Sequence, residues 1–203
     1  MAVPTHFDDR SFDLFAKDFT LAGEQRLLFD AHAAQWASPY GLIGLLSAGQ
    51  AVQEQGLERP LLTLPRDRDV VHYWARTGFV ERAEAFFEIH GHAPRVAPRG
   101  ESDVLLEVTP VREADDVHDV VNHIQERAAA ILTGRLGLEP QATMGFAMAL
   151  SEACQNIVEH AGTGGWVAVQ TYTWRKRLGR RVVVIAVADA GVGFRRSLEA
   201  TQA

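Results

Sequence analysis

Cysteine is almost missing from this chain. The single Cys154 among 203 residues excludes an internal disulfide framework and fits a reducing compartment. Long apolar runs are missing too. No stretch approaches the ~20 residues that a membrane-spanning helix needs, so a membrane is not an expected partner. Positive charge is in deficit, with 20 Lys and Arg against 26 Asp and Glu and a net charge of -6. That balance removes any global attraction to nucleic acid or anionic lipid. The first ten residues lack the basic and apolar regions of a secretory signal. There is no internal repeat and no low-complexity tract. The expectation is a cytoplasmic protein of ordinary globular composition, 47% hydrophobic and 23% charged, with room for one or two domains.

Pro and Gly set the first boundary. Residues 91–103 are rich in both and poor in apolar side chains, and read as a linker between domains at 1–90 and 104–203. Before it, Arg26 to Phe29 reads as a short strand ending at Asp30. Gly41 to Gln55 repeats Leu42, Ile43, Leu45, Leu46, Ala51 and Val52 at helical spacing, and Gly56 is a natural stop. Leu61 to Leu64 reads as a second buried strand. Asp69 to Thr77 reads as a helix with Val70, Val71, Tyr73 and Trp74 inward, capped by Gly78. Strand, helix, strand, helix makes a small α/β unit. After the linker, Val104 to Val108 is a strand. Asp115 to Gly134 is an amphipathic helix with Val117, Val120, Val121, Ile124, Ala128 and Ile131 on one side. Pro140 opens a further helix running through Ala161. Trp166–Trp174 and Arg181–Ala188 are then two strands turning at Leu178-Gly179. This half is α+β.

Two segments carry the chemistry. On the last helix, Glu152, Asn156 and His160 recur every four residues and so lie near one face. Leu150, Cys154, Ile157, Val158 and Ala161 form the opposing apolar surface. A carboxamide oxygen suits Mg²⁺, which takes oxygen ligands and needs few from protein when phosphates supply the rest. A carboxylate one turn away can orient or deprotonate a nucleophile. The second segment is the apolar run Arg181 to Ala188, which reads as a central strand buried on both faces. It ends in Asp189-Ala190-Gly191-Val192-Gly193. Gly191 and Gly193 permit close backbone approach to a ligand. Taken singly, these segments are equally a polar helix face and a glycine turn.

In order, with a hairpin between them, the two segments resemble the GHKL (histidine kinase-like) ATPase superfamily over roughly residues 104–198. The likeness is nearest to its anti-sigma factor serine kinases. The first motif of that branch is matched by Glu152, Asn156 and His160-Ala161, the second by Asp189, Gly191 and Gly193. The resemblance implies a partial Bergerat-fold α/β sandwich binding ATP or ADP with Mg²⁺. It implies that Asp189 accepts from the adenine amino group and that Gly191 and Gly193 shape the base pocket. Asn156 would hold Mg²⁺, His160 would stand on the nucleotide side, and Glu152 would be the general base. The family pattern continues with a lid and a second glycine-rich box. Here only ten residues follow Gly193, and Phe194 to Leu198 resembles the start of the lid. The expectation is a site lacking its phosphate-gripping half and an unpaired sheet edge. Such a chain is a fragment or is completed by a partner. Alone it would bind nucleotide weakly and not turn over ATP.

Residues 26–80 resemble a STAS domain, the fold of anti-sigma factor antagonists. The likeness rests on Leu27-Leu28-Phe29-Asp30, on Ser38-Pro39-Tyr40-Gly41-Leu42, and on Gly56 and Leu61–Leu64 following in order. Alignment on Gly41-Leu42 puts Pro39 where antagonists carry a phosphorylatable Ser. The resemblance implies a docking module that has lost its phosphorylation switch. Together the two likenesses imply a regulator that exchanges protein partners according to nucleotide state. Its partner would be a STAS antagonist, a sigma factor or its own N-terminal domain, with a homodimer left open. The alternatives are a non-enzymatic interaction protein with a degenerate nucleotide site, and a sensor histidine kinase ATPase-domain fragment. Against the last, no helix before Val104 carries a phosphoacceptor His, and His118 lies inside the domain. His90-Gly91-His92 reads as solvated linker rather than a metal site. The basic stretch Trp174 to Arg181 reads as a soluble turn, and nucleic acid is not an expected partner. Gly162-Thr163-Gly164-Gly165 follows a helix instead of preceding one, and reads as a helix stop and turn.

Overall fold

The structure is a computed structural model that describes residues 1–19, 26–94, 104–128, 139–174 and 180–191. The chain divides into two compact units, Met1–Gly100 and Glu101–Ala203. Each mixes helices with small sheets.

The first unit runs β1 (His6–Phe7), α1 (Asp9–Asp18), β2 (Leu28–Asp30), β3 (Trp36–Ala37), α2 (Pro39–Glu54), β4 (Leu61–Thr63), α3 (Arg68–Arg76), α4 (Phe79–Ala83) and β5 (Glu88–His90). All its strand pairs are parallel: β2 with β4, β4 with β5, and β1 with β3. A bridge from Ala2 to Asp30 ties the N-terminus to β2. Parallel strands need crossovers, and helices supply them.

Helix α2 is the centre of this unit. Ser38 caps it, its hydroxyl accepting from Gly41 N–H at 3.2 Å, and Pro39 takes the first helical position, where no N–H is needed. Twelve of its sixteen residues are buried, so it is a core helix rather than an amphipathic surface one. Gly56, at φ 67°, marks the stop expected of it. Helix α1 lies beyond what apolar spacing foretells, because Phe15 alone among its residues is buried. It starts instead on a capping box: Ser11 N–H donates to Asp8 at 3.0 Å and Asp8 N–H to the Ser11 hydroxyl at 2.8 Å. That backbone donor holds the Asp8 carboxyl below its usual range. Phe7, Phe12, Phe15, Phe29 and Phe87 then pack ring against ring.

His90 is not in a solvated linker. It is the last residue of β5, in register with Thr63 and, through it, with Asp30, and it lies 3.2 Å from the Glu88 carboxylate. Strand pairing reaches closer to the Pro- and Gly-rich stretch than composition suggests.

The second unit runs β6 (Val104–Val111), α5 (Ala114–Ala128), α6 (Pro140–Asn156), a π-helical turn (Ile157–Ala161), β7 (Gly165–Trp174) and β8 (Arg180–Asp189). The sheet is antiparallel in the order β6-β7-β8. Helices α5 and α6 pack on it. The core joins Val117 and Val120 of α5, Leu150 and Cys154 of α6, Ile157 and Ala161 of the π turn, and Val167 and Val169 of β7. Ile131 and the turn expected at Leu178-Gly179 lie outside the described residues.

The doubly buried strand is β7, not β8. Gly165 through Thr171 are all buried, while Val182–Ile185 and Val187 are half-buried. The reason is topological. Strand β7 has a neighbour on each side, whereas among the described residues β8 pairs with β7 alone. A run of valines is equally apolar in both positions, so composition does not separate them.

Candidate functional site

Helix α6 opens on Pro140 and carries the first motif near its C-terminal end. Leu150 and Cys154 are fully buried. The polar positions fall on the other side: Glu152 is exposed and Asn156 half-buried. Burial holds the Cys154 thiol up at about 11, which makes it a packing residue rather than a nucleophile.

After Asn156 the helix changes character. Ile157–Ala161 form a π-helical turn, where the sequence predicts unbroken α-helix. Single π turns inside helices concentrate at functional sites. The wider turn takes His160 off the strict α-helical repeat shared by Glu152 and Asn156. His160 is exposed and lies 3.8 Å from Glu159. Gly162, at φ 71°, ends the segment in the left-handed conformation.

The second motif closes on this turn. Both α6 and the π turn contact β8. Asp189 ends β8 with its carboxylate exposed. One carboxylate oxygen accepts from Gly191 N–H at 2.9 Å, which folds the chain back on itself. Gly191 then lies directly on the Ala161 backbone. A methyl at Gly191 would overlap the Ala161 carbonyl oxygen and stand 2.7 Å from its Cα, so only glycine fits. Thus the π turn that follows Asn156 meets Gly191, two residues beyond Asp189, through the Ala161 backbone. Gly193 lies outside the described residues.

The donors on these elements are the Asn156 carboxamide and the exposed carboxylates of Glu152 and Asp189. Among the described residues no group of three or more His, Cys, Asp and Glu side chains could hold a metal ion. One amide oxygen, Asn156, fits a cation that takes its remaining ligands from phosphate and water.

Comparison with known proteins bears on this half. Residues 114–203 match the family model described as the histidine kinase-like ATPase domain. That supports the GHKL superfamily for this part of the chain, and with it an ATP-binding regulatory function. The curated proteins and the solved structures gave no match. Among the described residues no helix is long and apolar enough to cross a membrane.

Two participants were not visible in the sequence. Ile157 starts the π turn, and no local residue pattern marks that change of pitch. Gly165, read as part of a turn, pairs across β7 and β8 with Asp189. Only the strand register shows that they are opposite one another.

Proposed function

We propose that this chain is an ATP-binding regulator of the anti-sigma factor serine/threonine kinase type, acting by nucleotide-dependent exchange of protein partners. The observation that carries the reading is the seating of Gly191 on Ala161, which joins the two motifs at one place. In this reading Asp189 accepts from the adenine amino group, and Gly191 and Gly193 shape the base pocket. Asn156 gives its carbonyl oxygen to Mg²⁺, and His160 stands on the nucleotide side. Glu152 takes the proton of an acceptor hydroxyl as general base. Bound Mg-ATP supplies the phosphoryl group. The residues of the chain orient it and hold that proton.

The first unit serves as a STAS-like docking module. The start of α2 supports this: Pro39 has no hydroxyl to modify, and Ser38 is buried, its hydroxyl accepting from the helix backbone. A switch by phosphorylation, which adds roughly two negative charges, is thus absent at that position. The partner is a protein of the antagonist or sigma-factor class. The covalent link between the units raises the effective concentration of one for the other.

Calorimetric titration of the full chain with ATP, in Mg²⁺ and in EDTA, tests the assignment. Wild type binds more tightly with Mg²⁺. Asn156→Ala loses that gain, about tenfold in Kd, equivalent to ~1.4 kcal/mol. Glu152→Gln keeps nucleotide affinity within about threefold, because a base acting on the acceptor contributes to transfer rather than to ground-state binding. Equal affinity with and without Mg²⁺ in wild type contradicts the role given to Asn156.

A further inference from the structure

The π turn meets the strand end at two points. At its far end Ala161 backs onto Gly191. At its near end Ile157 reaches Gly165, the first residue of β7. Gly165 is buried and sits opposite Asp189 in the β7–β8 register. Its backbone is not left-handed, since it is not among the glycines of positive φ, so space rather than conformation demands glycine here. A methyl at Gly165 would lie 2.5 Å from the Ala188 carbonyl oxygen, 3.0 Å from Ile157 Cδ1 and 3.1 Å from Asp189 Cβ. One of the three must move to admit it. Two of them are the backbone of β8 at Ala188 and the side-chain root of Asp189. The third is the first side chain after Asn156.

We infer that Gly165 is a positioning residue for Asp189. Its missing side chain fixes where the Asp189 carboxylate stands relative to the helix end that carries Asn156. It thereby sets how strongly the site selects adenine. This rests on the adenine role proposed above for Asp189. The chemistry gives a sharp readout. Adenine carries an amino donor at C6, which a carboxylate accepts. Hypoxanthine carries a carbonyl there, which a carboxylate repels. The ratio of ATP to ITP affinity therefore reports the position of Asp189. A general loosening of the fold lowers both affinities and leaves the ratio unchanged.

The test is calorimetric titration of the full chain with Mg-ATP and Mg-ITP. Four proteins are compared: wild type, Gly165→Ala, Asp189→Asn and the double variant. Wild type prefers ATP. Gly165→Ala lowers the ATP-to-ITP ratio about tenfold and keeps ITP binding, which also reports an intact fold. In the Asp189→Asn background the same change lowers the ratio no further, because residues acting through one another are non-additive. Should Gly165→Ala fail to fold, combining it with Ile157→Val removes the Cδ1 atom that the added methyl would meet, keeps the clashes at Ala188 and Asp189, and still lowers the ratio. Equal loss for both nucleotides, an unchanged ratio in whichever variant folds, or full additivity with Asp189→Asn overturns the proposal. A wild type that binds ATP and ITP equally instead removes the adenine role of Asp189, and the proposal with it.

Discussion

Asp189, Gly191 and Ala161 illustrate how little of this site is made by side chains. The carboxylate is exposed and caps its own turn. The glycine contributes only an absence, and the alanine contributes its backbone. Cys154 is the counter-example, a reactive residue type made inert by its surroundings. With its thiol held at about 11 by burial, about one molecule in a thousand carries thiolate at pH 8. Native protein should therefore label with a thiol-specific disulfide reagent only as fast as the α6 region opens. Saturating Mg-ATP should slow that labelling further, because a ligand that binds the native state raises its stability. Rapid stoichiometric labelling of native protein would place Cys154 outside the core described here.

The elements show which sequence signals were legible. The α2 pattern was readable because its start and stop are local chemistry: Ser38, Pro39 and Gly56. The polar face of α6 was readable because a helical repeat survives as far as Asn156. The π turn was not, since a change of pitch leaves no mark on residue type. The neighbours of strand β8 are not legible, because composition records how apolar a strand is, not how many strands flank it; among the described residues only β7 does. Helix α1 was missed because it depends on a capping box and aromatic contacts instead of an apolar stripe. The packing of α2 is also testable. A side chain at Gly44 would enter the space of the Phe12 ring. Gly44→Leu should cost about 1–3 kcal/mol by overpacking, read by chemical denaturation followed at far-UV wavelengths. A neutral or stabilising outcome would contradict the α1–α2 packing.

At the scale of the molecule, two compact units each bring their own core, and only the second carries the nucleotide motifs. The division into a strand-helix α/β half and an α+β half could be read from periodicity, and the order of the two motifs pointed to the superfamily. Their physical meeting could not be read, because it depends on the β7–β8 register and on Gly191 lying on Ala161. The central question is whether that meeting makes an adenine site. The most direct measurement is the thermal unfolding of the full chain with and without millimolar Mg-ATP, in wild type and Asp189→Asn. Nucleotide is expected to raise the wild-type midpoint, by about 2.7 kcal/mol of stabilisation at a hundredfold excess over Kd. The shift becomes markedly smaller in Asp189→Asn, while the unliganded midpoint stays put. A wild-type midpoint unmoved by nucleotide, or an equal shift in both proteins, would rule out an adenine site at Asp189.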